Sequence, residues 1–245
     1  PTGGTVLFNG REISKKLSRA EKKQLTGEMQ MIFQDPQASL NPHKKVIDII
    51  GEGLDNHHLY KTKEERLQKI LAIMKRVGLD SEQAYRYPHQ FSGGQRQRIG
   101  IARAFIVNPQ MVIADEAISA LDVSVQAQVV NLMKDLQEEL GTTYLFIAHD
   151  LAMVKYISDH IGVLHLGHLV ETGTRDEIFN HPVHPYTKSL LSAIPVTDPD
   201  VERSRVAIPY DYASSGIDYS KGTYHLVEGE HYVLSTDEEF IRWNA

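Results

Sequence analysis

Two short runs without a charged side chain, Met111-Val112-Ile113-Ala114 and Thr143–Ala148, stand on either side of one amphipathic stretch, Val125–Leu140. Within that stretch Val125, Val129, Leu132, Leu136 and Leu140 share one helical face, and Gly141 ends it. Gln95–Ile106 reads as a further helix upstream. Strand-length apolar runs that alternate with helices build a parallel sheet whose strands are buried on both faces. The fold class is therefore α/β. In such sheets ligands bind outside the carboxyl ends of the strands, so polar residues that follow the two apolar runs are the first candidates for chemistry.

The remaining segments are read by their punctuation. Gly4–Phe8 is a β-run closed by the turn signal Asn9-Gly10. A charged helix is expected over Ser14–Gln24 and a strand over Glu28–Phe33, stopped by Asp35-Pro36. From Val46 to Tyr87 the pattern is helical: Thr62-x-x-Glu65 has capping-box spacing, and Leu67, Ile70, Leu71, Met74 and Val77 form one face before Gly78. Ile161–Leu166 and His168–Thr172 form a hairpin about Gly167. Beyond Pro195 the chain is polar and rich in tyrosine, and no fold is assigned to it.

Composition removes several function classes. With no cysteine in 245 residues, disulfides, iron–sulfur clusters, zinc-thiolate sites and cysteine nucleophiles are all excluded. The absence also fits a reducing compartment. The net charge of −6 argues against nucleic acid as the main partner. No apolar run approaches the roughly 20 residues of a membrane-spanning helix.

Four segments carry candidate chemistry. Ser92-Gly93-Gly94-Gln95 opens a helix with glycines that let an anion approach backbone N–H groups. Asp115-Glu116 follows an apolar strand; Asp115 suits a magnesium shell and Glu116 a base acting on water. His149 follows the strand Thr143–Ala148 and could bond a phosphate and a water. Gln34 lies just past the strand Glu28–Phe33. Each is ordinary when taken singly: a serine N-cap, two solvated acids, a loop histidine, a loop amide. The pairs His57-His58 and His181/His184 read as solvated loops rather than metal ligands, and Glu138-Glu139 and Glu238-Glu239 as solvated faces.

The order is more specific than the parts. Gln34, Ser92-Gly93-Gly94-Gln95, Asp115-Glu116, Ser119-Ala120-Leu121-Asp122 and His149 resemble the motif succession of the ATP-binding-cassette ATPases. His184-Pro185-Tyr186-Thr187-Lys188 through Pro195 is similar to a segment that marks the oligopeptide and dipeptide importers among them. The resemblance implies a P-loop NTPase-like (RecA-like) core with a mainly parallel sheet, an inserted helical subdomain and a C-terminal extension. It places core parts at residues 1–40 and 92–180, the helical subdomain at 41–91 and the extension at 181–245.

The resemblance further implies ATP and Mg2+ as cofactors and a nucleotide sandwich between two such subunits. Ser92, Gly93, Gly94 and Gln95 would contact the ATP held by the partner. Asp115 and Gln34 would serve the metal, Glu116 would be general base, and His149 would bridge the γ-phosphate and the attacking water. Asp122 would couple the two sites. The implied partners are a second ATPase subunit, transmembrane permease subunits and, indirectly, a peptide-binding protein, with the chain on the cytoplasmic face of the membrane. Phe91 stands where relatives carry Leu, and Ala117 where they carry Pro. Many relatives bind an iron–sulfur cluster through C-terminal cysteines, which this chain lacks.

None of the 17 glycines is followed by lysine, so the phosphate loop G-x-x-x-x-G-K-[ST] does not occur in these residues. The expectation is a family member without its first strand, phosphate loop and helix. Three lost charge-assisted hydrogen bonds would weaken ATP binding by about 5–9 kcal/mol. A non-catalytic module that offers only its Ser92–Gln95 face is the second reading. A cassette ATPase of chromosome maintenance ranks last, for want of long heptad arms and a basic face.

Overall fold

In the computed structural model of the protein, which describes residues 3–195 and 206–244, the turn expected at Asn9-Gly10 joins β1 (Leu7–Phe8) to β2 (Arg11–Glu12). Both turn residues have positive φ, 49° and 74°, the conformation a two-residue hairpin requires and the reason Asn-Gly suits it. The chain divides into two compact units, one ending at Ala148 and one starting at His149.

In the first unit α1 (Arg19–Glu28) starts at Ser18, whose hydroxyl and the Glu21 carboxylate cap each other's N–H groups. No residue of α1 is buried, so its expected solvated character holds, although it begins later than its charge pattern indicates. A three-stranded parallel sheet follows, in the order β3 (Met29–Ile32), β4 (Met111–Asp115), β5 (Thr143–Ile147). The register pairs Ile32 with Ala114 and Asp115 with Ile147, which aligns the carboxyl ends of the three strands.

Only this sheet is parallel; the other six strands of the described residues pair antiparallel. β4 lies in its middle, with Val112 and Ala114 fully buried. β5 departs from the expected burial on both faces. Tyr144 and Phe146 turn inward, but Leu145 and Ile147 are 47% and 45% exposed. β5 is an edge strand of the described sheet, and a strand's period of two sends alternate side chains to opposite faces. A continuous apolar run therefore does not by itself require cover on both sides.

The other α-helices of this unit are α2 (Pro36–Ser39), α3 (Val46–His57), α4 (Lys63–Arg76), α5 (Gly93–Phe105) and α6 (Val123–Leu140). Ile49, Ile50 and Leu54 of α3, Ile70 and Met74 of α4, and Ile99, Ile101 and Phe105 of α5 are all 2% exposed or less. Thr62 caps α4 by accepting from Glu65 N, while Glu65 reaches Lys61 N rather than Thr62 N, so only half of the expected box forms. Arg66 of α4 grips Asp55 of α3 with two hydrogen bonds of 2.7 and 2.8 Å, and this holds the Asp55 carboxyl below its ordinary pKa.

The second unit supplies a fold for the tyrosine-rich tail. It contains α7 (Leu151–Ile157), the expected hairpin β6 (His160–His165) and β7 (His168–Thr174), α8 (Arg175–Asn180) and α9 (Pro185–Ser192). The tail adds β8 (Thr223–Glu228), β9 (His231–Ser235) and a C-terminal helix, Asp237–Trp243. The sheet order is β6-β7-β9-β8, so the last strand of the chain inserts beside β7. Val170, Val233, Leu234 and Trp243 centre its core, with Tyr186, Tyr210 and Tyr212 packed against it. Glu239 is not merely a solvated acid: it accepts from Thr236 N and caps the C-terminal helix.

His184 corrects the solvated-loop expectation outright. It is fully buried, and its Nδ1 accepts from Tyr186 N as the N-cap of α9. Burial pushes its pKa from 6.5 down to about 4, against the opposing pull of Glu171. The unfolded chain therefore binds a proton between pH 6.5 and 4 that the folded unit refuses. Stability is full above pH 6.5 and falls as pH drops toward 4, by about 1.4 kcal/mol per pH unit and about 3 kcal/mol in all. Urea unfolding followed by the fluorescence of Trp243, the only tryptophan, should show this loss. His184→Asn, which keeps a capping oxygen, should flatten it; an equally steep profile in that variant would assign the slope to other groups.

Candidate active site

Ser92 precedes the first turn of α5 with extended φ and ψ, −66° and 166°. Its hydroxyl accepts from Gln95 N at 3.3 Å, and the Gln95 side-chain oxygen accepts from Ser92 N at 3.0 Å. The two polar side chains of the segment thus fix the start of the helix, where the first N–H groups have no partner within the helix and carry its positive end. The glycines also have a packing reason that the sequence does not disclose. A Cβ on Gly94 would stand 2.6 Å from Val125 Cγ1, and one on Gly93 would stand 3.7 Å from Leu121 Cδ2. The Ser92–Gln95 turn therefore lies against the segment that leads into α6, the segment that holds Asp122.

Asp122 takes the N-cap position of α6 without a capping bond from its side chain, and its carbonyl accepts from Val125 N and Gln126 N. The residue is exposed. Gln126 reaches back to the Ile118 carbonyl at 3.1 Å and braces the loop from the helix side.

The acidic pair sits where the strand pattern puts it. Asp115 is the last residue of β4, and Glu116 turns out of the sheet with φ 44°. A left-handed conformation at a non-glycine residue costs about 1–3 kcal/mol and persists only where neighbours enforce it. Here Glu116 N donates to the Ile147 carbonyl at 2.9 Å, and the Glu116 carbonyl accepts from both Ser119 N and Ser119 Oγ at 3.1 and 3.0 Å. Gln34 then reaches across from the end of β3, and its Nε2 donates to Glu116 Oε2 at 2.6 Å.

Of the residues selected from sequence, Gln34 and Glu116 are thus in direct contact, with Asp115 adjacent. Ser92 and Gln95 contact each other, and Gly93 and Gly94 border the flank of Asp122. His149 opens the second unit, immediately before Asp150, which caps α7 by accepting from Ala152 N and Met153 N. Ser119 was missed as a support, although its spacing of three residues from Glu116 is the ordinary reach of a serine turn. The Asp115 carboxylate and the Gln34 amide each offer a hard oxygen donor, the type that magnesium prefers. Gln34 has its nitrogen committed to Glu116, which leaves that oxygen as the acceptor. Among the described residues no group of three or more His, Asp or Glu side chains is arranged to hold a metal unaided.

Residues 1–119 match the family described as ABC transporter, and residues 170–215 match the family described as oligopeptide/dipeptide transporter, C-terminal region. The chain is 59% identical over 240 residues to the oligopeptide transport ATP-binding protein OppF of Bacillus subtilis (strain 168), spanning 98% of this chain and 79% of that protein. It is 55% identical over 238 residues to the dipeptide transport ATP-binding protein DppF of Lactococcus lactis subsp. cremoris (strain MG1363), spanning 97% and 76%. Among solved structures it is similar to the ATP-binding cassette MJ0796, a dimer in a post-hydrolysis state bound to ADP and Pi. The TM-score is 0.64 and the identity 28%, with 71% of this chain and 75% of that one covered. A likeness to cbiO1 of Clostridium perfringens, with TM-score 0.67, 24% identity, and coverage of 83% and 76%, concerns the fold alone.

Proposed function

The chain belongs to the ABC transporter ATPases of the oligopeptide/dipeptide importer type, and from that premise we propose that it hydrolyses ATP in a nucleotide sandwich to drive peptide uptake. The observation that best supports this reading is the 2.6 Å bond between Gln34 and Glu116, which gathers two of the implied catalytic groups beside Asp115 at one sheet edge. Phosphoryl transfer asks a protein for positioning and charge stabilisation more than for covalent chemistry. Glu116 takes a proton from the attacking water as general base. His149 bonds the γ-phosphate and that water. Ser92 and the N–H groups at Gly93, Gly94 and Gln95 meet the γ-phosphate of an ATP bound chiefly by the partner subunit, and Asp122 couples the two sites.

Asp115 and Gln34 would hold Mg2+, which when bound neutralises developing charge on the phosphates. The phosphates of such a pocket are also held by a G-x-x-x-x-G-K-[ST] loop, which does not occur in residues 1–245. Those residues by themselves therefore bind ATP weakly. Among the described residues no helix is long and apolar enough to cross a membrane. In the importer reading, permease subunits hold the chain at the cytoplasmic face. A separate peptide-binding protein delivers the cargo.

The test is peptide uptake and peptide-stimulated ATP hydrolysis by the assembled importer in vesicles. Ser92→Arg puts charge and bulk where the partner's nucleotide must dock. Loss of the cap costs only about 1 kcal/mol, so the variant should fold and yet transport nothing. Normal uptake by Ser92→Arg would refute the sandwich, and hydrolysis indifferent to peptide would refute the importer.

A further inference from the structure

Arg103 lies in the last turn of α5, about 15 Å along the helix axis from Gly93 at 1.5 Å per residue. Its side chain is half-buried and turned toward a different segment of the first unit. Nη1 donates to the Ser39 carbonyl at 2.6 Å, and the guanidinium lies over the Phe33 ring with Cζ 5.9 Å from the centroid. These contacts bracket Gln34. Phe33 precedes it directly, and Ser39 ends α2, the short helix that follows it. Between the two, Asp35 accepts from Ala38 N at 3.1 Å, so the stretch is a closed turn rather than a loose loop.

The partners are those an arginine suits best. A planar guanidinium stacks on a ring and keeps donors at its rim for a carbonyl, whereas a lysine supplies only a compact point charge. Burial also lowers the pKa of the group from its ordinary value, with Glu52 opposing, which marks it as drawn away from water. One side chain of the helix that begins at Ser92–Gln95 therefore grips both ends of the turn that presents Gln34 to Glu116.

We propose that Arg103 is a positioning residue that fixes where Gln34 stands relative to α5, so that the Gln34–Glu116 contact and the placement of the Ser92–Gln95 turn are set together. The proposal rests on the ATPase reading above. A backbone shift of Gln34 toward or away from Glu116 would strain the contacts that its neighbours Phe33 and Ser39 make with Arg103 of α5.

ATP hydrolysis by the assembled importer tests this with Arg103→Ala, Arg103→Lys, Phe33→Ala, Gln34→Ala and the double variant Arg103→Ala/Gln34→Ala. Arg103→Ala should lower kcat about tenfold and leave KM for ATP within about twofold. Arg103→Lys should recover part of the loss, since it can still donate to Ser39. The double variant should be no slower than Gln34→Ala alone, because the two residues act through one contact. Phe33 is 45% exposed, so Phe33→Ala threatens no core; it should lower kcat in the same direction and replaces Arg103→Ala in the cycle if that variant folds poorly. Losses that multiply in the double variant, or a fall in kcat that merely tracks a lower Tm, would overturn the role of Arg103 while leaving the ATPase reading intact. An unsubstituted importer that hydrolyses no ATP would overturn both.

Discussion

Glu116→Gln in the assembled importer should reduce ATP turnover by about 10²–10⁴-fold, the usual contribution of a general base, while ATP binding is kept. The substitution is close to isosteric, so the backbone bonds that hold Glu116 in its left-handed turn survive: N–H to Ile147, carbonyl to Ser119. A glutamine oxygen can also still accept from Gln34 Nε2. What disappears is the basicity that removes a proton from water. Single-turnover hydrolysis with labelled ATP and equilibrium nucleotide binding measured on the same preparation separate the two. Turnover within threefold of the parent would remove Glu116 from its role. Loss of binding along with turnover would mean that the carboxylate serves the ground state, not the transfer step.

The second large effect is expected in the other unit and concerns stability alone. The Glu171 carboxylate is fully buried and accepts from Val183 N at 2.7 Å, from His184 N at 3.1 Å and from His231 Nε2 at 2.7 Å. It thereby ties β7 to the turn before α9, 12–13 residues on, and to β9, 60 residues on. Glu171→Ala leaves all three donors without a partner in a place water does not reach, and removal of one member of a buried pair typically costs about 3–5 kcal/mol. Domains of this size have only about 5–15 kcal/mol to lose. Trp243, the only tryptophan, is buried in this unit, so its fluorescence reports the unit's unfolding directly. The midpoint in urea should fall sharply for Glu171→Ala and less for Glu171→Gln, which keeps one acceptor oxygen. An unmoved midpoint for the alanine variant would show that the tie contributes nothing.

The carboxyl edge of the parallel sheet was readable from the sequence because its signals are local. An apolar run that ends in Asp115-Glu116, and a serine before two glycines at a helix start, each state their geometry within a few residues. The contact between Gln34 and Glu116 spans 82 positions and exists only because β3 and β4 align Ile32 with Ala114, a register that no local pattern encodes. Arg103 gives no local signal, because an arginine in a last helical turn ordinarily points to solvent and complements the helix dipole. The tail stayed unread because β9 buries polar residues, His231 and Ser235, alongside Val233 and Leu234, which blurs the alternation that identifies a strand. His184 misled for the same reason: its proline neighbour suggests a surface loop, while its ring is enclosed by Tyr210, Tyr219 and Trp243. For β5, an unbroken apolar run reads alike whether one face is covered or two.

The spacing between α5 and α6 has a consequence for how this chain can vary. With a methyl group at position 94 due to land 2.6 Å from Val125 Cγ1, and with a β-branched valine unable to swing aside, the two positions behave as meshed cogs. Enlargement at one is admitted only if the other shrinks. Compensating changes for a larger residue at position 94 should therefore be sought in the first turn of the neighbouring helix, at Val125.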